Sequence, residues 1–251
     1  MSKAIAVETA AHERYAPYLV RYRSGEWRDR ILHDLILEDA RALGRPLTIL
    51  DIGCGRGFDD NLELQQSIAK HARAMIGIEP DPEVETGPHF TRVHRCLFED
   101  AELQPASVDI AYAVMVLEHL ANPQSFWDKL HEVLVPGGVF WGLTVDSRTP
   151  FAVASYWSER LRLKNIYMRS MWGNRGEDRY LNYPVHYMTN SPRQVEPYVE
   201  RFSTCEVINF SRSDQMSRVL PGALLPVARC YDDWIIRTGR PGTLLALRVT
   251  K

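Results

Sequence analysis

Apolar residues in this chain gather into short unbroken runs separated by stretches of helical spacing. LTILDIG, following Pro46, is the first such run, and its final glycine suits a buried parallel strand that enters a crossover loop. A helix is expected next, over residues 60–71. Residues 74–79 (AMIGIE) predict a second buried strand, 91–96 a weaker third, 108–115 (VDIAYAVM) a fourth and 138–145 (GVFWGLTV) a fifth. Such alternation predicts a parallel sheet with helices on both faces, because parallel strands need crossovers and both faces must then be covered. Ahead of it, Tyr15, Tyr18, Val20 and Tyr22, then Trp27, Ile31, Leu35 and Leu37, recur at helical spacing around a break near Ser24 and Gly25, so two helices precede the first strand. Beyond it, 192–202 predicts a helix, 204–210 a strand, 224–236 a helix and 244–249 the last strand. From 150 to 191 the regularity fails and Arg, Tyr and Trp accumulate, which predicts an insertion.

The 251 residues, 45% of them hydrophobic, suffice for one sizeable core. A formal net charge of −2 supplies no overall field that would draw the chain to nucleic acid or to an anionic membrane, and neither is an expected partner. The opening residues hold no long apolar run beside a basic stretch, so no targeting signal is read there, and no run is long enough to span a bilayer. Cys54, Cys96, Cys205 and Cys230 contain no C-x-x-C pair, which argues against zinc and against a disulfide framework. A reducing cytoplasm is the expected location.

The segment with the most chemistry is Leu50-Asp51-Ile52-Gly53-Cys54-Gly55-Arg56-Gly57, a strand end followed by three glycines on alternate positions. Without Cβ atoms, Gly53 and Gly55 can adopt positive φ and let backbone approach a ligand at the carboxyl end of a strand, where open α/β sheets bind ligands. A dinucleotide loop, G-x-G-x-x-G, would need its third glycine at position 58, which is Phe. Asp51 is placed to receive a cationic ammonium. Glu79, ending the second strand in the same βαβ unit, is placed to accept both hydroxyls of a ribose.

Taken in order, LDIGCGRG, GIEPD, VMVLEHLANP and LVPGGVFW resemble the successive motifs of class I S-adenosylmethionine-dependent methyltransferases, in the small-molecule group that includes the ubiquinone and menaquinone biosynthesis enzymes. The resemblance covers residues 47–144. It implies an α/β, Rossmann-like, seven-stranded and mostly parallel sheet, and with the patterns that flank it a single domain over 1–251 is expected. N-terminal helices would occupy 1–45, a cofactor-binding core 46–146, a lid insertion 147–191 and the rest of the sheet 192–251. It further implies S-adenosyl-L-methionine as cofactor. Asp51, Gly53 and Gly55 would hold its methionine part, Glu79 its ribose, and Pro80 would pack on its adenine. Backbone of Leu97 and Phe98, with Glu99 or Asp100 as acceptor, would read the adenine edge. Cys54 and Met115 complete the expected cofactor contacts. YPVHYMTNSPRQVE is similar to segments in methyltransferase-like proteins of bacterial polysaccharide clusters.

Methyl transfer from a sulfonium is a displacement in which positioning supplies much of the rate, and a base is needed only for a hydroxyl or a protonated amine. His119, after the fourth strand at the carboxyl edge, is the first candidate; a role in orienting its loop is the competing reading. Glu118 either caps the helix over 122–134 or touches the cofactor. Asp146, after the fifth strand, is a second candidate base, or else a turn residue. His186, reaching from the insertion, is a third. No metal is expected, since SRTPFAVAS after Asp146 offers no acidic cluster.

In the insertion, Arg148, Arg160, Arg162, Lys164, Arg169, Arg175 and Arg179 interleave with Tyr156, Trp157, Tyr167, Trp172, Tyr180, Tyr183 and Tyr187. This suits either a lid for an acidic or glycosylated small molecule or an amphipathic helix with its arginines in solvent. The expected acceptor is a hydroxyl of a sugar or secondary metabolite. A non-catalytic protein that binds the same cofactor and a nicotinamide-dependent oxidoreductase stay open as alternatives.

Overall fold

The computed structural model describes residues 13–161, 184–213 and 222–251. Seven strands, β1 (Leu47–Ile52), β2 (Ala72–Ile78), β3 (Arg92–His94), β4 (Val108–Val114), β5 (Leu134–Val145), β6 (Thr204–Phe210) and β7 (Leu244–Thr250), form one sheet in the order β3-β2-β1-β4-β5-β7-β6. The pairs β1–β2, β1–β4, β2–β3 and β4–β5 are parallel, while β7 runs antiparallel to both β5 and β6. β5 and β6 therefore point the same way, and their last residues, Val145 and Phe210, both sit opposite Leu244. The predicted mostly parallel α/β sheet is the one observed.

Among the described residues the α-helices are α1 (Ala16–Arg23), α2 (Arg28–Leu43), α3 (Leu62–Ala69), α4 (Pro123–Val133), α5 (Pro150–Arg160), α6 (Pro192–Val199) and α7 (Leu225–Thr238). Period-two alternation along the strands divides the core. Leu50, Ile52, Ala111, Ala113 and Phe140 face Phe126, Trp127 and Leu130 of α4 and Val195 and Val199 of α6. Ile49, Ile110, Tyr112 and Trp141 face the other way, against Ile31, Leu35 and Ile36 of α2. One buried carboxylate fastens that second layer. Asp39 of α2 accepts Trp141 Nε1 at 2.8 Å from β5, the Arg248 fork at 2.8 and 3.0 Å from β7, and Arg14 Nη2 at 2.8 Å. Burial alone would raise its pKa, but the Arg248 and Arg14 hydrogen bonds reverse the sign and hold it below the usual value.

Two local expectations are corrected. Asn122, not Glu118, caps α4, its Oδ1 accepting the Ser125 N–H at 3.3 Å with Pro123 in the first turn. The region after residue 150, expected to be irregular, opens as α5. Thr149 carbonyl accepts Val153 N–H at 3.1 Å and Pro150 begins the helix, where its missing N–H costs nothing. Of the insertion's expected lid residues, Arg162, Lys164, Tyr167, Arg169, Trp172, Arg175, Arg179, Tyr180 and Tyr183 lie outside the described residues.

Candidate functional site

At the centre of the sheet β2 and β4 flank β1, and the chain leaves β1 toward β2 before returning on the other side, so a crevice opens at the carboxyl ends of β1 and β4. The glycine turn lies over it. Gly53 adopts φ +82° and Gly57 φ +98°, conformations that residues with a Cβ avoid. The Gly53 and Cys54 N–H groups both donate to the Ile78 carbonyl, at 2.8 and 3.0 Å, which binds the turn to the end of β2. A Cβ on Gly55 would lie 2.4 Å from Glu79 Oε2 and 2.5 Å from Val84 Cγ1. The Cys54 thiol is buried under this turn, and desolvation pushes its pKa up, so it serves as packing rather than as a reactive thiolate.

Two carboxylates stand on either side of the turn. Glu79 is 7% exposed; its Oε2 accepts the Gly55 N–H and its Oε1 the Asp81 N–H, each at 3.0 Å. Each oxygen keeps a lone pair for a ligand hydroxyl. Burial raises its pKa. Asp51, 3% exposed and in register with Gly77 and Tyr112, accepts the Tyr112 hydroxyl and Gln65 Nε2, both on Oδ2 and both at 2.7 Å. Gln65 also donates to the Cys54 carbonyl at 2.9 Å, so one amide ties the acid to the loop. Desolvation outweighs these bonds and pushes the Asp51 pKa up to about 7. Neither Tyr112 nor Gln65 was singled out from the sequence. A signal was present in Tyr112, the one residue with a polar tip inside AYAV, since a buried phenol must find a partner.

The adenine side is laid out less completely. Pro80 is exposed at the end of β2, and Leu97 is exposed beyond β3. Phe98 is buried against Phe126, with ring centroids 5.2 Å apart, so only its backbone can face a ligand. Glu99 is partly buried, and desolvation raises its pKa.

Across the crevice the β4 loop carries the proposed bases. Met115 holds φ +57° with its N–H on the Leu143 carbonyl at 2.7 Å. His119 Nδ1 lies 2.8 Å from the Pro184 carbonyl, which can only accept, so Nδ1 carries a proton and the ring is held by that edge. His186 is drawn to the same place: its N–H and that of Tyr187 donate to the Glu118 carbonyl at 2.8 and 3.2 Å. The two histidines thus share one junction. The His186 side chain lines a cleft of about 450 Å3 with Tyr156, Trp157, Tyr187 and Gln194. Glu118 itself is buried and accepts the Thr144 hydroxyl at 2.8 Å, which in turn accepts Asn190 Nδ2 at 2.5 Å. Burial raises its pKa.

Asp146 is a different case. It is fully buried, and Oδ1 accepts the Arg148 N–H and Nε at 2.9 and 3.0 Å while Oδ2 accepts Arg148 Nη2 at 2.8 Å and Asn209 Nδ2 at 3.0 Å. A carboxylate enclosed by a guanidinium and an amide is a brace between β5 and β6, and its oxygens are not placed to take a proton from an acceptor. Arg148, counted above among the lid arginines, is bound up in the same brace. No cluster of three His, Cys, Asp or Glu side chains suited to a metal occurs among the described residues.

Comparison with known proteins adds to this geometry. A family model described as a methyltransferase domain matches residues 20–184. The chain is similar to a ubiquinone biosynthesis O-methyltransferase of Aliivibrio fischeri (strain ATCC 700601 / ES114), 26% identical over 155 residues, or 55% of this chain and 63% of the relative. It therefore spans less than two-thirds of that relative's length. Among solved structures it is similar to a SAM dependent methyltransferase from Archaeoglobus fulgidus, with TM-score 0.54 and 11% identity over 94% of this chain and 100% of the other. Another is a geranyl diphosphate C-methyltransferase from Streptomyces coelicolor A3(2), solved with Mg2+, geranyl diphosphate and S-adenosyl-L-homocysteine, at TM-score 0.52 and 12% identity over 99% and 89%. At such identities the two structures bear on the fold alone. The family match is the stronger finding, because it runs through more than half of the chain and takes in the glycine turn, Asp51, Glu79 and the β4 loop: the chain belongs to the methyltransferase domain family.

Proposed function

We propose that the protein is an S-adenosylmethionine-dependent methyltransferase that acts on a small molecule, at a hydroxyl of a sugar or secondary metabolite. The observation that carries the cofactor reading is the contact between Gly55 and Glu79. The backbone approaches the carboxylate so closely that no side chain fits between them, and both groups end adjacent parallel strands. Such a cradle suits a ribose held by Glu79 and a methionine ammonium held by Asp51. When bound, S-adenosylmethionine supplies an electrophilic methyl group on a sulfonium that leaves as a neutral thioether. The hydroxyl acceptor is supported by the named activity of the Aliivibrio relative.

The chain's own residues then divide the work. Asp51 and Glu79 bind and orient the cofactor, Pro80, Leu97 and Phe98 bound its adenine end, and Met115 shapes the floor beside it. His119, its ring held by the Nδ1 contact with the Pro184 carbonyl, is the candidate base for the proton of the acceptor hydroxyl. His186 borders the acceptor cleft. The test is calorimetric titration with S-adenosylhomocysteine together with transfer of a radiolabelled methyl group to a panel of phenols and sugars. Wild type should bind, and Glu79→Ala should weaken binding by about tenfold or more, in keeping with the loss of a charge-assisted hydrogen-bond acceptor. Affinity unchanged in both Glu79→Ala and Asp51→Ala would remove the basis of the reading.

A further inference from the structure

Arg212 stands two residues beyond the end of β6. Because β6 runs parallel to β5, it emerges at the same carboxyl edge of the sheet as Asp146 and the β4 loop, on the side away from Glu79. Its guanidinium carbon lies 4.8 Å from the Trp27 ring centroid and 5.0 Å from that of Tyr22. Those rings are well fixed. Tyr22 is buried with its ring edge-on to Phe210, centroids 5.4 Å apart, and Trp27 directly precedes Arg28. Arg28 forks Asp59, just past the glycine turn, through two bonds of 2.7 Å. The aromatic platform is thereby tied to the cofactor loop.

Other arginines of this layer are matched to carboxylates: Arg14 and Arg248 to Asp39, Arg21 to Glu26 and Asp34, Arg28 to Asp59. Arg212 has no carboxylate partner among the described residues, and its Nε is buried with no acceptor. The acids that act electrostatically on Tyr22 are Asp59, already paired with Arg28, and Asp232. A stacked guanidinium with a desolvated, unmatched donor is a cation prepared for an anion that arrives from outside.

We propose that Arg212, on its platform of Trp27 and Tyr22, recognises a carboxylate or phosphate carried by the methyl acceptor. The idea rests on the methyltransferase reading for the nature of the ligand, but the anion site can be tested separately. The experiment titrates benzoate, phenyl phosphate and neutral benzyl alcohol into wild type, Arg212→Gln and Arg212→Lys, with and without S-adenosylhomocysteine, alongside thermal melts. The expected result is that at least one anion binds wild type in preference to benzyl alcohol. Arg212→Gln should weaken it about tenfold or more and Arg212→Lys should recover part of the loss, with the affinity for S-adenosylhomocysteine unchanged. The preferred anion identifies carboxylate or phosphate. The proposal is overturned if neither anion binds wild type, or if Arg212→Gln binds them equally well. It is also overturned if both variants only lower the melting temperature, which would make the stack a structural clamp. Failure of wild type to bind S-adenosylhomocysteine would sink the cofactor reading instead, leaving the comparison of anions intact.

Discussion

Replacing Asp51 by Asn separates what this carboxylate does for the fold from what it does for the cofactor. Its pKa rises from 3.8 to about 7, chiefly through burial, so the folded protein holds this proton more tightly than the unfolded chain does. The stability contributed by the group is fully present below its unfolded value of 3.8 and is lost as pH rises to the folded value of about 7. At ~1.4 kcal/mol for each tenfold change in proton affinity, an ionised Asp51 costs the empty protein about 4 kcal/mol above neutrality. Asn is nearly isosteric, and its carbonyl still accepts Tyr112 and Gln65, but it cannot ionise. Asp51→Asn should therefore match wild type in acid and gain on it as pH rises from about 4 to about 7, reaching as much as about 4 kcal/mol. Even a quarter of that would raise Tm by about 2–4 °C in a chain of this size. The same variant should bind S-adenosylhomocysteine about ten to a hundred times more weakly, having lost a charge-assisted contact with the ammonium. The assay is a set of melts across the pH range paired with calorimetry. A constant, pH-independent loss of stability would mean that the carboxylate is structural and that its burial has been misjudged. Undiminished affinity would mean that it does not meet the cofactor.

Gly55→Ala should weaken S-adenosylhomocysteine by at least about tenfold while leaving the far-ultraviolet spectrum intact, because its Cβ displaces the Glu79 carboxylate instead of a strand. His119→Gln should lower kcat by about a hundredfold or more and spare cofactor affinity; a full-rate variant would make His119 an orienting residue. Arg148→Ala should cost about 1–3 kcal/mol by chemical denaturation, since it leaves the buried Asp146 with only the Asn209 amide and the backbone N–H of residue 148, and should change the cofactor Kd by less than about twofold. A larger effect on turnover than on stability would restore Asp146 to the list of bases.

What was legible in the sequence is what the backbone demands of particular residue types. Leu47–Ile52 and Val108–Val114 lie buried on both faces of the sheet, so they read as continuous apolar runs, and the turn after β1 needs glycine at 53 and 57 because φ there is positive. Glu79 could be placed by counting along one βαβ unit. Partners fixed by strand register could not. Tyr112 meets Asp51 across 61 residues, and nothing local in either segment announces the bond. Asp146 shows the converse error: a carboxylate at a strand end looks available until Arg148, two residues on, is seen to fold back over it. Arg212 lay outside every motif, and only the packing of α1 and α2 against the end of β6 gives it meaning.

The least legible feature bears most directly on where chemistry takes place. Met115 and Tyr187 are neither glycine nor asparagine, yet they hold φ of +57° and +49°. Conformations of this kind cost about 1–3 kcal/mol each and persist only where the surroundings impose them. Here the surroundings are shared: Tyr187 packs with Val145 and Ala152, and Met115 lies against the same cluster. Met115 directly follows β4, and Tyr187 follows the stretch through which Pro184 and Glu118 join the two histidines. Part of the strain thus lies at the junction of the His119 loop with residues 184–187, and part just past the glycine turn, where Asp59 and Asp60 hold φ of +53° and +66°. A strand end that needed only to return to a helix would have no use for it. An edge that must keep His119 and His186 at one junction does.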